Sequence, residues 1–129
     1  MNTTNEGNTA AAAWDEAAKG WNHHSALIRA WLEQATTAML DAARVMPGDR
    51  VLDLAAGAGE QTLDIVRRVG PNGSVLATDL SAGILHLAED KLRAAGLLGQ
   101  VQLLQADVQA LGPDNTGFAA AVCRLGLMF

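Results

Sequence analysis

The chain has 129 residues, half of them apolar and only 18% charged, which excludes wholesale disorder and leaves room for one domain around one core. Nine basic against fourteen acidic residues give a net charge of -5, so no basic field is present to bind nucleic acid or an anionic lipid surface. A lone cysteine, Cys123, rules out an intrachain disulfide and, without a His or Cys cluster beside it, a thiolate metal cage; no metal is expected.

The first nine residues are polar and rich in Asn and Thr, which predicts a frayed tail without structure. They carry neither the basic residues nor the apolar run of a signal peptide, and no apolar stretch of about 18 residues follows. The expected location is therefore the cytoplasm. Residues 10–46 read as amino-terminal helices. From Ser25 to Val45 the apolar positions Leu27, Trp31, Ala35, Ala38, Ala42 and Val45 step by three or four, the spacing that lines one face of a helix. Pro47-Gly48-Asp49 ends it.

Residues 47–129 alternate between short apolar runs and helical patterns. Arg50–Leu54 reads as a strand entering the small-residue loop Ala55-Ala56-Gly57-Ala58-Gly59. A helix follows over Gln61–Val69 with Leu63, Val66 and Val69 inward, closed by Gly70-Pro71-Asn72-Gly73. Ser74–Asp79 is the second strand. Ser81 caps a helix that buries Leu85, Ala88 and Leu92 and closes at Gly96. Val101–Gln105 is a third strand ending near Asp107, Gly112-Pro113-Asp114-Asn115 is a turn, and Phe118–Cys123 is a fourth strand. This alternation predicts an α/β fold, a Rossmann-like parallel sheet with flanking helices and right-handed crossovers.

Such a sheet places Asp53, Asp79 and Asp107 at or just past the carboxyl ends of their strands, the edge where ligands bind. The two glycines between strand and helix let the backbone approach a ligand and leave the helix amino terminus free for an anionic group. A dinucleotide fingerprint would need a third glycine where Thr62 stands, and Glu60 would repel a pyrophosphate. A ligand with one carboxylate, one ammonium and a sulfonium fits better, with Asp53 beside the cationic end. Asp79, twenty residues after Gly59, can accept both hydroxyls of a ribose, and Asp107, before Val108, can accept from the exocyclic amine of adenine.

Four stretches in order, Val51–Thr62, Val75–Ser81, Ala106-Asp107-Val108 and Ala121–Phe129, resemble successive motifs of class I S-adenosylmethionine-dependent methyltransferases close to the ubiquinone/menaquinone-biosynthesis C-methyltransferase group. The resemblance runs from about residue 14 to the end. It implies S-adenosylmethionine as cofactor and a small organic or quinone-like methyl acceptor. Asp53, Ala55, Gly57 and Gly59 would line the methionine end, Asp79 with Leu80 the ribose, and Asp107 with Val108 the adenine. Arg124 would lie near cofactor and acceptor, and the amino-terminal helices would cover the crevice. Two departures stand out: Ala119 replaces an acid common at the start of the fourth strand, and the family's seven-stranded sheet is represented by only four strands. The bare edge of the fourth strand is a surface for self-association or for a partner.

Plainer readings stand beside these. Asp53 and Asp107 can serve as strand-end acids satisfied by local hydrogen bonds, and Arg124 as a surface charge. Trp14, Trp21 and Trp31 read either as a lid or as core packing, with core the default. His23 and His24 have no partner legible in the sequence, so no general base is nominated. Cys123 reads as a small buried hydrophobe. The competing functions are a cofactor-binding module without catalysis and, disfavoured by Glu60 and Thr62, a nicotinamide-dependent oxidoreductase.

Overall fold

Each apolar run between glycine-rich turns forms a strand, and each run with three-to-four spacing forms a helix. The computed structural model describes residues 3–112 and 116–128. In chain order the elements are α1 (Thr3–His23), α2 (Ser25–Ala42), β1 (Arg50–Leu54), α3 (Glu60–Val69), β2 (Ser74–Asp79), α4 (Ala82–Ala94), β3 (Val101–Gln105) and β4 (Ala120–Cys123). Short 3-10 turns span Leu98–Gln100, Val108–Ala110 and Gly126–Met128.

The strands form one parallel sheet in the order β3-β2-β1-β4. In register, Val51 lies opposite Val75 and Ala120, and Asp53 opposite Ala77 and Val122. The chain steps outward from β1 to β3 and then returns to the far side of β1, so the sheet order reverses between β1 and β4. A crevice opens at the carboxyl ends of strands around such a reversal. The two inner strands are covered on both faces: Val51 to Asp53 and Val75 to Thr78 are all buried, the pattern of a parallel sheet sandwiched by other elements. Their core is completed by Ile65, Val66 and Val69 from α3, Leu40 from the end of α2, Val45 from the turn after it, and Val122 from β4. Leu85, Ala88 and Leu92 of α4 are buried as their spacing predicts.

Three expectations are corrected. Of the expected tail, Met1 and Asn2 lie outside the described residues, while Thr3 onward is helical. Residues of modest helix propensity are carried by the alanine-rich segment after them, because extending an existing helix is far easier than starting one. The second correction concerns α2. Leu27 and Trp31 are 70% and 78% exposed, and Ala35, Ala38 and Ala42 also face outward. The inward stripe is Ile28, Leu32, Thr36, Met39 and Leu40, rotated by one residue, about 100° around the axis. Both stripes have helical spacing, and packing selects the one with longer aliphatic side chains. Val45 is buried as expected, because α2 ends at Ala42 and the chain turns back through Arg44 at φ 54°, where Val45 N–H bonds the Leu40 carbonyl at 3.1 Å. Third, β4 begins at Ala120; Phe118 instead stacks under the Arg50 guanidinium, 4.3 Å from its ring centre. In the expected turn at residues 112–115, Pro113 to Asn115 lie outside the described residues.

The two stripes of α2 make opposite predictions for truncation. Leu40→Ala should cost about 2–4 kcal/mol for a cavity in the core, whereas Leu27→Ala should change stability by less than about 0.5 kcal/mol. Urea unfolding of both variants checks this; equal losses would mean that Leu27 is buried after all.

Candidate functional site

The loop from Leu54 to Gly59 joins β1 to α3 at the reversal of the sheet, and three of its residues have positive φ: Ala55 at 53°, Gly57 at 62° and Gly59 at 93°. Glycine takes this conformation freely, whereas Ala55 does so at a cost of about 1 kcal/mol. Gly59 is also required by space, since a Cβ there would stand 3.1 Å from Cα and Cβ of Ala88 on α4. On the other side, the methyl of Ala55 fills the space beside Gly126, where an added Cβ would come within 2.5 Å of it.

Asp53 sits beneath this loop with no exposed surface. Its carboxylate accepts from Gln61 Nε2 at 2.5 Å and from Thr62 Oγ1 at 2.7 Å, both in the first turn of α3. Burial pushes its pKa up to about 6, against the opposing pull of the Thr62 and Gln61 hydrogen bonds and the Arg124 charge. The side chain therefore does not reach the crevice: it locks strand, loop and helix together from below. The sequence reading missed Gln61 and Thr62; the available signal was two polar residues in the first turn of a helix that must pack inward.

Asp79, at the end of β2, does reach the crevice. Its Oδ2 accepts from Gly57 N–H and its Oδ1 from Ser81 N–H, both at 3.0 Å, and the residue is half-buried. The carboxylate thus braces the glycine loop across two neighbouring strands and keeps lone pairs free for a ligand. Leu80 follows it, also half-buried. One strand further out, Asp107 begins the 3-10 turn and accepts from Gln109 N–H at 2.9 Å, with Val108 exposed beside it. With strands about 5 Å apart, the edge from the β1 end to the β3 end spans about 10 Å. Arg124, just past β4, donates to Thr36 Oγ1 on α2 at 2.8 Å and lies within electrostatic reach of Asp53. It is half-buried on the β4 side of the sheet.

The amino-terminal helices are tied over this edge by polar contacts. Asp15 of α1 accepts from the buried Ser81 hydroxyl and from Gly83 N–H at the start of α4, and these bonds hold its carboxyl below its usual range. Trp21 of α1 reaches the glycine loop, with Nε1 3.7 Å from where a Gly57 Cβ would stand. Trp14 packs edge-on against it at 5.9 Å. Trp31 faces outward instead, so neither the lid nor the core reading describes it. Glu60, at the amino end of α3, pairs with Lys91 of α4 and lies 3.9 Å from Arg29 of α2. His23 and His24 meet edge-to-face, ring centres 4.9 Å apart, and are exposed. Cys123 is half-buried, and burial pushes its thiol pKa up, in keeping with a hydrophobe. Among the described residues no group of three or more His, Cys, Asp or Glu is placed to hold a metal ion, and no helix is long and apolar enough to cross a membrane.

The profile of a family described as "Methyltransferase domain" matches residues 51–129, the sheet from the second residue of β1 onward. The chain belongs to this methyltransferase family. A curated relative, the ubiquinone/menaquinone biosynthesis C-methyltransferase of Teredinibacter turnerae, is 49% identical over 73 residues, covering 56% of this chain and 29% of that protein. The chain thus spans less than a third of that relative's length. Among solved structures, a Geobacter sulfurreducens S-adenosylmethionine-dependent methyltransferase in complex with S-adenosylhomocysteine is 25% identical. It matches 72% of this chain and 36% of its own with a TM-score of 0.59. A Methanococcus maripaludis structure, 20% identical with a TM-score of 0.75 over 89% of this chain and 52% of its own, shares the fold.

The raised pKa of Asp53 has a signed consequence. A carboxyl that ionises near 6 when folded and near 3.8 when unfolded leaves the folded state holding the extra proton between those values, so its contribution to stability falls as pH rises through that window. Relative to the parent, Asp53→Asn should therefore gain stability between pH 4 and 6, by up to about 3 kcal/mol, and the difference should level off above about pH 7. Urea unfolding across pH checks this; a difference independent of pH would contradict it. Beyond β4, a Cβ on Gly126 would meet Ala55 Cβ at 2.5 Å and Cys123 Sγ at 2.7 Å, so Gly126→Ala should destabilise by about 1–3 kcal/mol through overpacking, and Ala55→Gly in the same chain should restore only the part due to Ala55. Thermal unfolding of the single and double variants reads the coupling.

Proposed function

We propose that this chain forms the S-adenosylmethionine-binding part of a methyltransferase that acts on a small organic, quinone-like acceptor. The observation that carries the reading is the pairing of Asp79 with Gly57: a half-exposed carboxylate bonded to the glycine loop, at the point where the sheet order reverses. The residues present fit the cofactor. Gly57 and Gly59 bring backbone to the crevice, Asp79 retains acceptor capacity for a ribose diol, and the Asp107-Val108 turn lies about two strand spacings away, where adenine would fall. When bound, S-adenosylmethionine supplies a methyl group already activated on a sulfonium, so the protein's contribution is alignment and exclusion of water.

The roles of this chain's residues follow. Asp79 and Leu80 hold the ribose, and Asp107 with Val108 the adenine edge. Gly57 and the start of α3 hold the methionine end. Asp53 acts as a positioning residue through Gln61 and Thr62, not as a direct partner of the ammonium. Arg124 bounds the acceptor side. The quinone-like acceptor rests on the printed activity of the Teredinibacter turnerae relative. A second reading, a cofactor-binding module that works with a partner, is favoured by β4, whose only strand partner among the described residues is β1.

Calorimetric titration with S-adenosylhomocysteine tests the first reading, with folding checked by circular dichroism. The parent chain should bind with a Kd near 10 μM, about -7 kcal/mol, and Asp79→Ala should weaken binding by about 1.5–3 kcal/mol as charge-assisted hydrogen bonds are lost. A folded parent that binds nothing, or an Asp79→Ala variant that binds equally well, would overturn the cofactor site as drawn.

A further inference from the structure

Trp21 of α1 reaches the glycine loop, and the atom it presents there is its indole nitrogen, 3.7 Å from the Cβ position of Gly57. Gly57 has no side chain to intervene, so an added group at that point would meet the indole N–H first. The nitrogen is a donor only, and no acceptor engages it among the described residues. The ring and its surroundings are held by packing and polar ties. Trp14 packs edge-on at 5.9 Å and 89°, and Asp15, six residues before Trp21, ties the helix to Ser81 and Gly83. The loop beneath is fixed by Asp79 through Gly57 N–H. The indole is 40% exposed, so water satisfies the N–H until a better acceptor arrives.

The neighbouring groups decide what that acceptor is. The loop runs into the amino end of α3, where unpaired backbone N–H groups favour negative charge. The acid of that first turn, Glu60, is drawn to Lys91 and Arg29, and Asp53 is enclosed below. We infer that Trp21 is a specificity-determining contact, whose indole N–H donates to the carboxylate of the ligand's amino-acid end over the glycine loop. The inference rests on the cofactor reading above and adds to it a residue outside the matched family region. It makes α1 part of the binding site and gives the site a means to distinguish ligands that carry an amino-acid end from those that do not.

The test compares two ligands on the full 129-residue chain. S-adenosylhomocysteine carries the carboxylate; 5′-methylthioadenosine keeps the adenosine and thioether but lacks it. Trp21→Phe keeps an aromatic ring against Trp14 and removes the donor. Calorimetry should show Trp21→Phe weakening S-adenosylhomocysteine about tenfold, as for loss of a hydrogen bond to a charged group, while 5′-methylthioadenosine changes less than twofold. Unchanged binding of both ligands, or an equal loss of both, would overturn the donor role and leave the cofactor reading intact. If the folded parent binds neither ligand, the cofactor reading fails and the Trp21 contact falls with it. Thermal unfolding of Trp21→Phe confirms that the comparison is made on a folded chain.

Discussion

The structure depends on one buried charge. Asp53 stands at the end of a central strand with no access to water, and an isolated carboxylate in that position is expensive to keep. The cost is met locally. Gln61 and Thr62 in the first turn of α3 donate to both oxygens, and Arg124 supplies positive charge from beyond β4. These bonds are satisfied only if α3 begins directly above the strand, so the intervening residues have one path to follow. That path drives Ala55, Gly57 and Gly59 to positive φ, with Ala56 N–H bonded to the Thr78 carbonyl and Gly57 N–H to Asp79 at the end of β2. A buried acid thus shapes the glycine loop from below.

Around this rigid centre the amino-terminal helices form a second layer held in a different way. Among their described residues few are buried: Ala18 of α1, Thr36 and Leu40 of α2. Their ties are polar, from Asp15 to α4, from Arg29 to Asp64 on α3, and from Thr36 to Arg124. Elements with little buried apolar surface open at lower free energy than strands of the core.

The same features restrict the ligand. Thr62 occupies the place of a third glycine, and its hydroxyl is committed to Asp53; removing its side chain to admit a pyrophosphate would unseat the buried acid. Glu60 at the helix start is matched by Lys91 and Arg29, so its charge is part of the packing between α2, α3 and α4. Membership of the methyltransferase family and the local electrostatics therefore point the same way, toward a ligand with a small anionic group rather than a dinucleotide.

The sequence by itself determined the order and type of the elements from Ser25 onward, the parallel sheet, and the strand ends that carry Asp53, Asp79 and Asp107. These follow from short-range periodicity and from turn residues whose backbone preferences are local. Helix and loop positions such as Ser81 and Gly59 were legible for the same reason. Tertiary structure decided which of two equally spaced stripes on α2 faces inward, because only packing against α3 separates Leu32 and Leu40 from Leu27 and Trp31. It also decided that Asp53 is enclosed while Asp79 is available, since both are strand-end acids in sequence and differ only in what α3 and the loop place over them. The reach of Trp21 to Gly57, across 36 positions of the chain, depends on how α1 lies over the sheet. No local pattern encodes that placement; it arises from contacts between segments distant in sequence.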